Sequence, residues 1–154
     1  MKYGIYYAYW EKEWNGDYKY YIDKISKLGF DILEISCGAF SDYYTKDQEL
    51  IDIGKYAKEK GVTLTAGYGP HFNESLSSSE PNTQKQAISF WKETLRKLKL
   101  MDIHIVGGAL YGYWPVDYSK PFDKKRDLEN SIKNMKIISQ YAEEYDIMMG
   151  MEVL

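Results

Sequence analysis

Two carboxylates interrupt stretches that otherwise read as buried strands. Glu152 stands in "IMMGMEVL" (147–154) and Glu34 in "FDILEIS" (30–36). An ionised acid inside an apolar strand is costly unless a cation or hydrogen-bond donor meets it. Alternation puts Ile32, Glu34 and Ser36 on one face of their strand and Leu33, Ile35 and Cys37 on the other. Two acids near strand ends, facing one mouth, suit a hard divalent cation or acid–base work on a hydroxylated substrate. Tyr6, Trp10, Trp14, Tyr111 and Trp114 gather near the same mouth and offer a platform for the C–H face of a sugar. Gly67 in "AGYGP" and the glycines of "VGGAL" sit where strands end, permitting tight turns or close approach of a ligand to the main chain. His104, within "DIHIVGG", reads as a packing residue, His71 as part of a surface loop, and Asp102 as lying at the far end from the mouth. No HxH, HExxH or CxxC spacing occurs, so at least two further metal ligands would have to come from elsewhere.

The elements that must carry these groups alternate. Strands are predicted over 2–9, 30–36, 62–69, 102–110 and 147–154. Helices are predicted over 17–29, 46–61, 82–101 and 124–146, the third of them capped by Asn82. In the first helix Tyr18, Tyr21, Ile22, Ile25 and Leu28 recur at helical spacing, and Gly29 follows as a stop. Strands alternating with helices imply a parallel sheet with right-handed crossovers.

The chain has 154 residues, 44% of them apolar and 28% charged, which fits one globular domain or a contiguous piece of one. A net charge of −3 with no basic stripe argues against nucleic acid as a partner. No apolar run is long enough to span a bilayer, and "MKYGIYYAYW" is too short and aromatic for a signal peptide. The single cysteine, Cys37, points to a reducing, cytoplasmic setting. Sixteen tyrosines suit surfaces that meet partly polar ligands.

Two α/β architectures compete: a flavodoxin-like doubly wound sheet and a partial TIM barrel with its parallel strands in sequential order. The partial barrel is favoured on three grounds. The chain ends on a strand, the first strand is followed by "YWEKEWNGD" rather than a phosphate or flavin loop, and polar and aromatic residues gather at the C-terminal ends of all five strands. Such an open sheet is expected to leave two unpaired edges and one uncovered apolar face.

The stretches "GIYYAYWEKEW", "KLGFDILEI", "LTAGYGP", "GGALYGYWPVDY" and "EVL" resemble, in order, the N-terminal part of the ketose 3-epimerases of the xylose isomerase-like barrel superfamily. The resemblance implies that residues 1–154 are the N-terminal half of a (β/α)8 barrel. The activity it implies is interconversion of C3 epimers of free ketohexoses, of the D-fructose/D-psicose or D-tagatose type, through a cis-enediolate. It implies one divalent cation, Mn2+ or Co2+, and a homo-oligomeric full-length protein. Glu152 matches the first catalytic glutamate, also a metal ligand. Tyr6, Gly67, Ala109 and Trp114 match substrate-pocket positions, with Trp14 as a neighbour and Glu34 as a further pocket residue. The remaining ligands of the family, an Asp, a His and a second Glu, lie beyond the matched stretch, so this chain alone is expected to be inactive. A related sugar isomerase, a polyol dehydratase and a non-catalytic half-barrel association module are the alternatives.

Overall fold

The computed structural model describes residues 1–14, 16–119 and 122–153, apart from the side chains of Ser41 and Asp42. Leu154, in the predicted fifth strand, lies outside the described residues. The strands are β1 (Gly4–Tyr6), β2 (Ile32–Ser36), β3 (Thr63–Gly67), β4 (Ile105–Gly108) and β5 (Met148–Met151). The helices are α1 (Tyr18–Leu28), a short α2 (Ala39–Asp42), α3 (Asp47–Glu59), α4 (Pro81–Leu100) and α5 (Lys124–Glu144). The strands pair in the order β1-β2-β3-β4-β5, every pair parallel. A doubly wound sheet reverses its strand order at a switch point. Strictly sequential order excludes it and leaves an open segment of a (β/α) barrel.

One face of this sheet is packed and the other is not. Leu33, Ile35, Leu64, Ala66 and Val106 are buried and stand on the helix side. They pack with Ile22 and Ile25 of α1, Leu50 and Ile53 of α3, Trp91, Leu95 and Leu98 of α4, and Ile138 of α5. Each fully buried aliphatic side chain in this layer contributes roughly 1.5–3 kcal/mol. The opposite, inner face carries Ile32, Glu34, Ser36, Thr63, Thr65, Ile105 and Met148, with Ile105 and Met148 exposed. It is a mixed face rather than the apolar one expected.

Local signals place the helices, with one correction. Asp17 caps α1 by accepting hydrogen bonds from the Lys19 and Tyr20 amides, and Asp123 caps α5 through the Arg126 amide. Asn82 does not cap α4. The helix starts one residue earlier at Pro81, whose fixed φ suits a first helical position. Among the described residues no helix is long and apolar enough to cross a membrane.

His104 also departs from its expected packing role. It is exposed at the entry to β4, between Asp102 and Asp146, both in left-handed backbone with φ of 60° and 57°. Its Nδ1 lies 2.8 Å from the Asp146 carbonyl, and its Nε2 lies 3.1 Å from Asp102 Oδ1. A neutral imidazole carries one N–H, but both nitrogens here face acceptors, so the imidazolium satisfies the site. The Asp146 carbonyl first, then the Asp102 carboxylate, raise its pKa above the usual 6.5. The stabilisation is therefore complete below the unfolded-state pKa and is lost as pH rises through the higher folded value. Because the ring is well exposed, the expected loss is under about 1 kcal/mol. Urea titrations on both sides of this window test it. The midpoint should fall as pH rises, and His104→Gln should flatten that slope.

Candidate active site

Strand register gathers the site. Tyr6 on β1 stands beside Glu34 on β2. Two residues further along, Ser36 pairs with Gly67, Gly67 with Gly107, and Gly107 with Gly150. Alternation places all of these on the inner face, and Glu152, two residues past Gly150, shares it. The Glu152 amide donates to the Gly108 carbonyl at 3.0 Å, so the ladder continues to the acid. Three glycines thus lie side by side across β3, β4 and β5. The Glu34 carboxyl lies over Gly67, while Gly107 and Gly150 leave the floor from there to Glu152 open to a ligand that approaches the main chain.

Glu34 is half-buried. Burial first, and then the charge of Glu152, push its carboxyl above the ordinary carboxylate range. The two acids therefore act on one another across the glycine floor. Glu34 also presses on Gly67: a Cβ added there would lie 2.9 Å from Glu34 Oε1. Tyr6 is half-buried, and its hydroxyl is pushed up to about 12, mainly by burial, with a hydrogen bond to the Ser36 side chain opposing and the Glu34 charge adding. It remains a neutral phenol at physiological pH, able to donate or accept a hydrogen bond but not to act as a base.

Trp14 is 69% exposed, and its ring is tilted beside Tyr6 with 6.3 Å between centroids. Tyr6, Trp14, Glu34, Gly67 and Glu152 thus border one mouth. Ala109 and Trp114 stand next to it. They line a cavity of about 510 Å³ with Phe72, Tyr111 and Tyr113, whose lining includes neither acid. Trp114 is half exposed, and its amide donates to the Pro70 carbonyl at 2.8 Å, folding this loop across the end of β3. The neighbouring hollow is mainly apolar in surface, with serines and the charged Glu80, Asp117, Lys124, Arg126 and Asp127 in its lining.

One expectation fails. Glu152 does not sit on a buried strand: β5 is an edge strand, and both Met151 and Glu152 are exposed. The acid is reached by solvent along the inner face while still facing Glu34.

Three contributors take their full role only in the structure: Ser36 and Gly107, which the sequence placed near strand ends, and Gly150, which it did not single out. Ser36 is buried, its side chain pairs with Tyr6, and its backbone exchanges hydrogen bonds with the Tyr18 hydroxyl at 3.0 and 3.3 Å. Its position two residues after Glu34 was the available signal. Gly107 and Gly150 complete the floor, but their alignment depends on register, which no local pattern encodes.

The acids offer hard oxygen donors of the kind a divalent cation takes. The donor set is nonetheless incomplete: among the described residues no group of three or more His, Cys, Asp or Glu could hold a metal.

The family model for the xylose isomerase-like TIM barrel matches residues 22–154. A D-psicose 3-epimerase of Enterocloster bolteae is 56% identical over all 154 residues, which span 51% of its length. A solved D-psicose 3-epimerase from Clostridium cellulolyticum H10, with D-tagatose, superposes at TM-score 0.96 and 46% identity, covering all of this chain and 53% of that one. More distantly, the IOLI protein with a binding zinc atom shares the fold at TM-score 0.75 and 19% identity, over 98% of this chain and 51% of that one. The chain spans about half the length of the curated relatives it matches.

Proposed function

This chain belongs to the xylose isomerase-like TIM-barrel family, and from that premise we propose that residues 1–154 form the N-terminal half of a ketose 3-epimerase acting on free ketohexoses. The observation that carries the proposal is the placement of Glu152 and Glu34 on one inner face, with a glycine floor between them.

In this reading the sugar lies on the glycine floor, where its hydroxyls come close to the main chain. Glu152, reached by solvent along the inner face, takes the proton from C3. The C3–H of an α-hydroxyketone is a weak acid, so proton removal requires stabilisation of the oxygen that gains charge. A divalent cation, Mn2+ or Co2+, held by Glu152 together with ligands from outside this chain, would supply that stabilisation as a Lewis acid. Glu34, whose carboxyl is shifted toward the protonated form by burial and then by the Glu152 charge, hydrogen-bonds a sugar hydroxyl. Tyr6 and Trp14 cover an apolar C–H face of the open-chain sugar, the form that carries the C2 ketone, and Ala109 and Trp114 bound its far end. The group that returns a proton on the opposite face belongs to the other half of the barrel. A homo-oligomer in the cytoplasm is the setting proposed, supported there by the single, buried Cys37.

The test joins this chain to the second half of the Enterocloster bolteae relative and incubates the product with D-fructose and Mn2+. D-psicose should accumulate, and chelation of the metal should stop it. An aldose or a dehydrated product in its place would overturn the epimerase reading.

A further inference from the structure

Trp14 poses a physical problem. A large indole, 69% exposed, sits on the β1–α1 loop, where ordering the chain costs about 1–2 kcal/mol per residue and core burial returns little. The loop is nevertheless tied down on both sides of this residue's neighbourhood. Tyr7 donates its hydroxyl to the Trp14 carbonyl at 2.5 Å, and Tyr44 donates to the Gly16 carbonyl at 2.7 Å. Tyr44 in turn accepts from the Tyr18 amide at 3.1 Å and stacks on the Tyr18 ring at 4.8 Å between centroids. Tyr18 is fully buried and hydrogen-bonds the backbone of Ser36 at the end of β2. Gly16 is wedged against the rings of Tyr7 and Tyr21, which a Cβ would meet at 3.0 and 3.2 Å. Glu11, at the other end of the loop, accepts from the Tyr21 hydroxyl. A continuous set of tyrosines therefore runs from the inner-face strand end to the loop that carries the indole.

We propose that Tyr7 and Tyr44 are positioning residues, whose hydroxyls clamp the β1–α1 loop so that Trp14 is held in advance over Tyr6 as a wall for the sugar. Burial raises the pKa of both phenols, which keeps them protonated and able to donate. The arrangement lowers the ordering cost of ligand binding, the usual effect of preorganisation. The consequence for sugar binding rests on the epimerase reading; the placement of Trp14 does not.

The experiment labels the chain with 5-fluorotryptophan and records fluorine NMR. Trp14→Phe assigns the Trp14 signal, and Trp91, fully buried in α4, serves as the core reference. In Tyr7→Phe and in Tyr44→Phe the Trp14 signal should move toward that of free 5-fluorotryptophan, while the Trp91 signal stays in place. An unmoved Trp14 signal in both variants overturns the proposal. A Trp91 signal that moves with it also does so, because the hydroxyl would then be holding the core rather than the loop. In the joined protein each variant should raise KM for D-fructose by roughly 3–10-fold, the equivalent of one lost hydrogen bond, with kcat changed less than about twofold. A fall in kcat at unchanged KM would contradict a positioning role. The fluorine readout needs no sugar, so failure of the clamp and failure of the epimerase reading are told apart.

Discussion

Glu152→Gln is expected to abolish epimerisation by the joined protein, lowering kcat by roughly 10²–10⁴-fold from loss of the general base alone, and further through loss of a cation ligand. The amide has nearly the shape of the acid but cannot accept the C3 proton, and its oxygen is a weaker donor to a hard cation. In the 154-residue chain Glu152 is exposed and its amide, not its carboxylate, is bonded to Gly108, so there the change should leave stability within about 0.5 kcal/mol of the parent. Loss of activity with an unchanged urea midpoint is thus the signature of a chemical role. Glu34→Gln provides the contrast. Its neutral amide still donates a hydrogen bond, so it should retain far more activity than Glu152→Gln. Equal losses in the two variants would contradict the division of roles.

Gly108→Ala is expected to cost at least about 3 kcal/mol and to disorder the mouth. Gly108 has φ of +128°, a conformation L side chains rarely adopt, and an added Cβ would fall 2.1 Å from the Tyr68 carbonyl oxygen. Both partners are backbone, so no side-chain rotation relieves the clash. The site is coupled to this point: the Tyr68 amide donates to the Gly107 carbonyl at 2.9 Å, and the Gly108 carbonyl holds the Glu152 amide. Gly107→Ala is the matched control. Its Cβ would meet only the Gly150 carbonyl at 3.7 Å, an ordinary contact, so stability should change little while the glycine floor is partly filled. A urea midpoint for Gly108→Ala close to that of Gly107→Ala would refute the argument.

The order of strands was legible because alternation of period two and period 3.6 survives along the chain, and because no flavin or phosphate loop follows β1. Boundaries were less so. β1 ends at Tyr6 because the chain turns into a 3-10 segment over Tyr7–Tyr9, a choice made by ring packing on Tyr18 and Tyr21 rather than by local propensity. Glu34 and Glu152 were visible as acids in apolar strands, and Tyr6 and Trp14 as aromatics near a mouth. The glycine floor was not, since it arises only when three separate strands fall into register. The tyrosine clamp was hidden for the same reason: Tyr44 reaches Gly16 across 28 residues. His104 read as core because it stands among isoleucines, yet its neighbours Asp102 and Asp146 turn with positive φ and present acceptors to both ring nitrogens.

The most direct measurement follows where solvent hydrogen enters the sugar. D-fructose is incubated in deuterated water with the joined protein and Mn2+, and recovered sugars are analysed by NMR. Proton transfer at C3 through Glu152 predicts deuterium at C3 alone, in both D-psicose and returned D-fructose, and none with Glu152→Gln. Deuterium at C1, or labelling at C3 that persists without the Glu152 carboxylate, would contradict it.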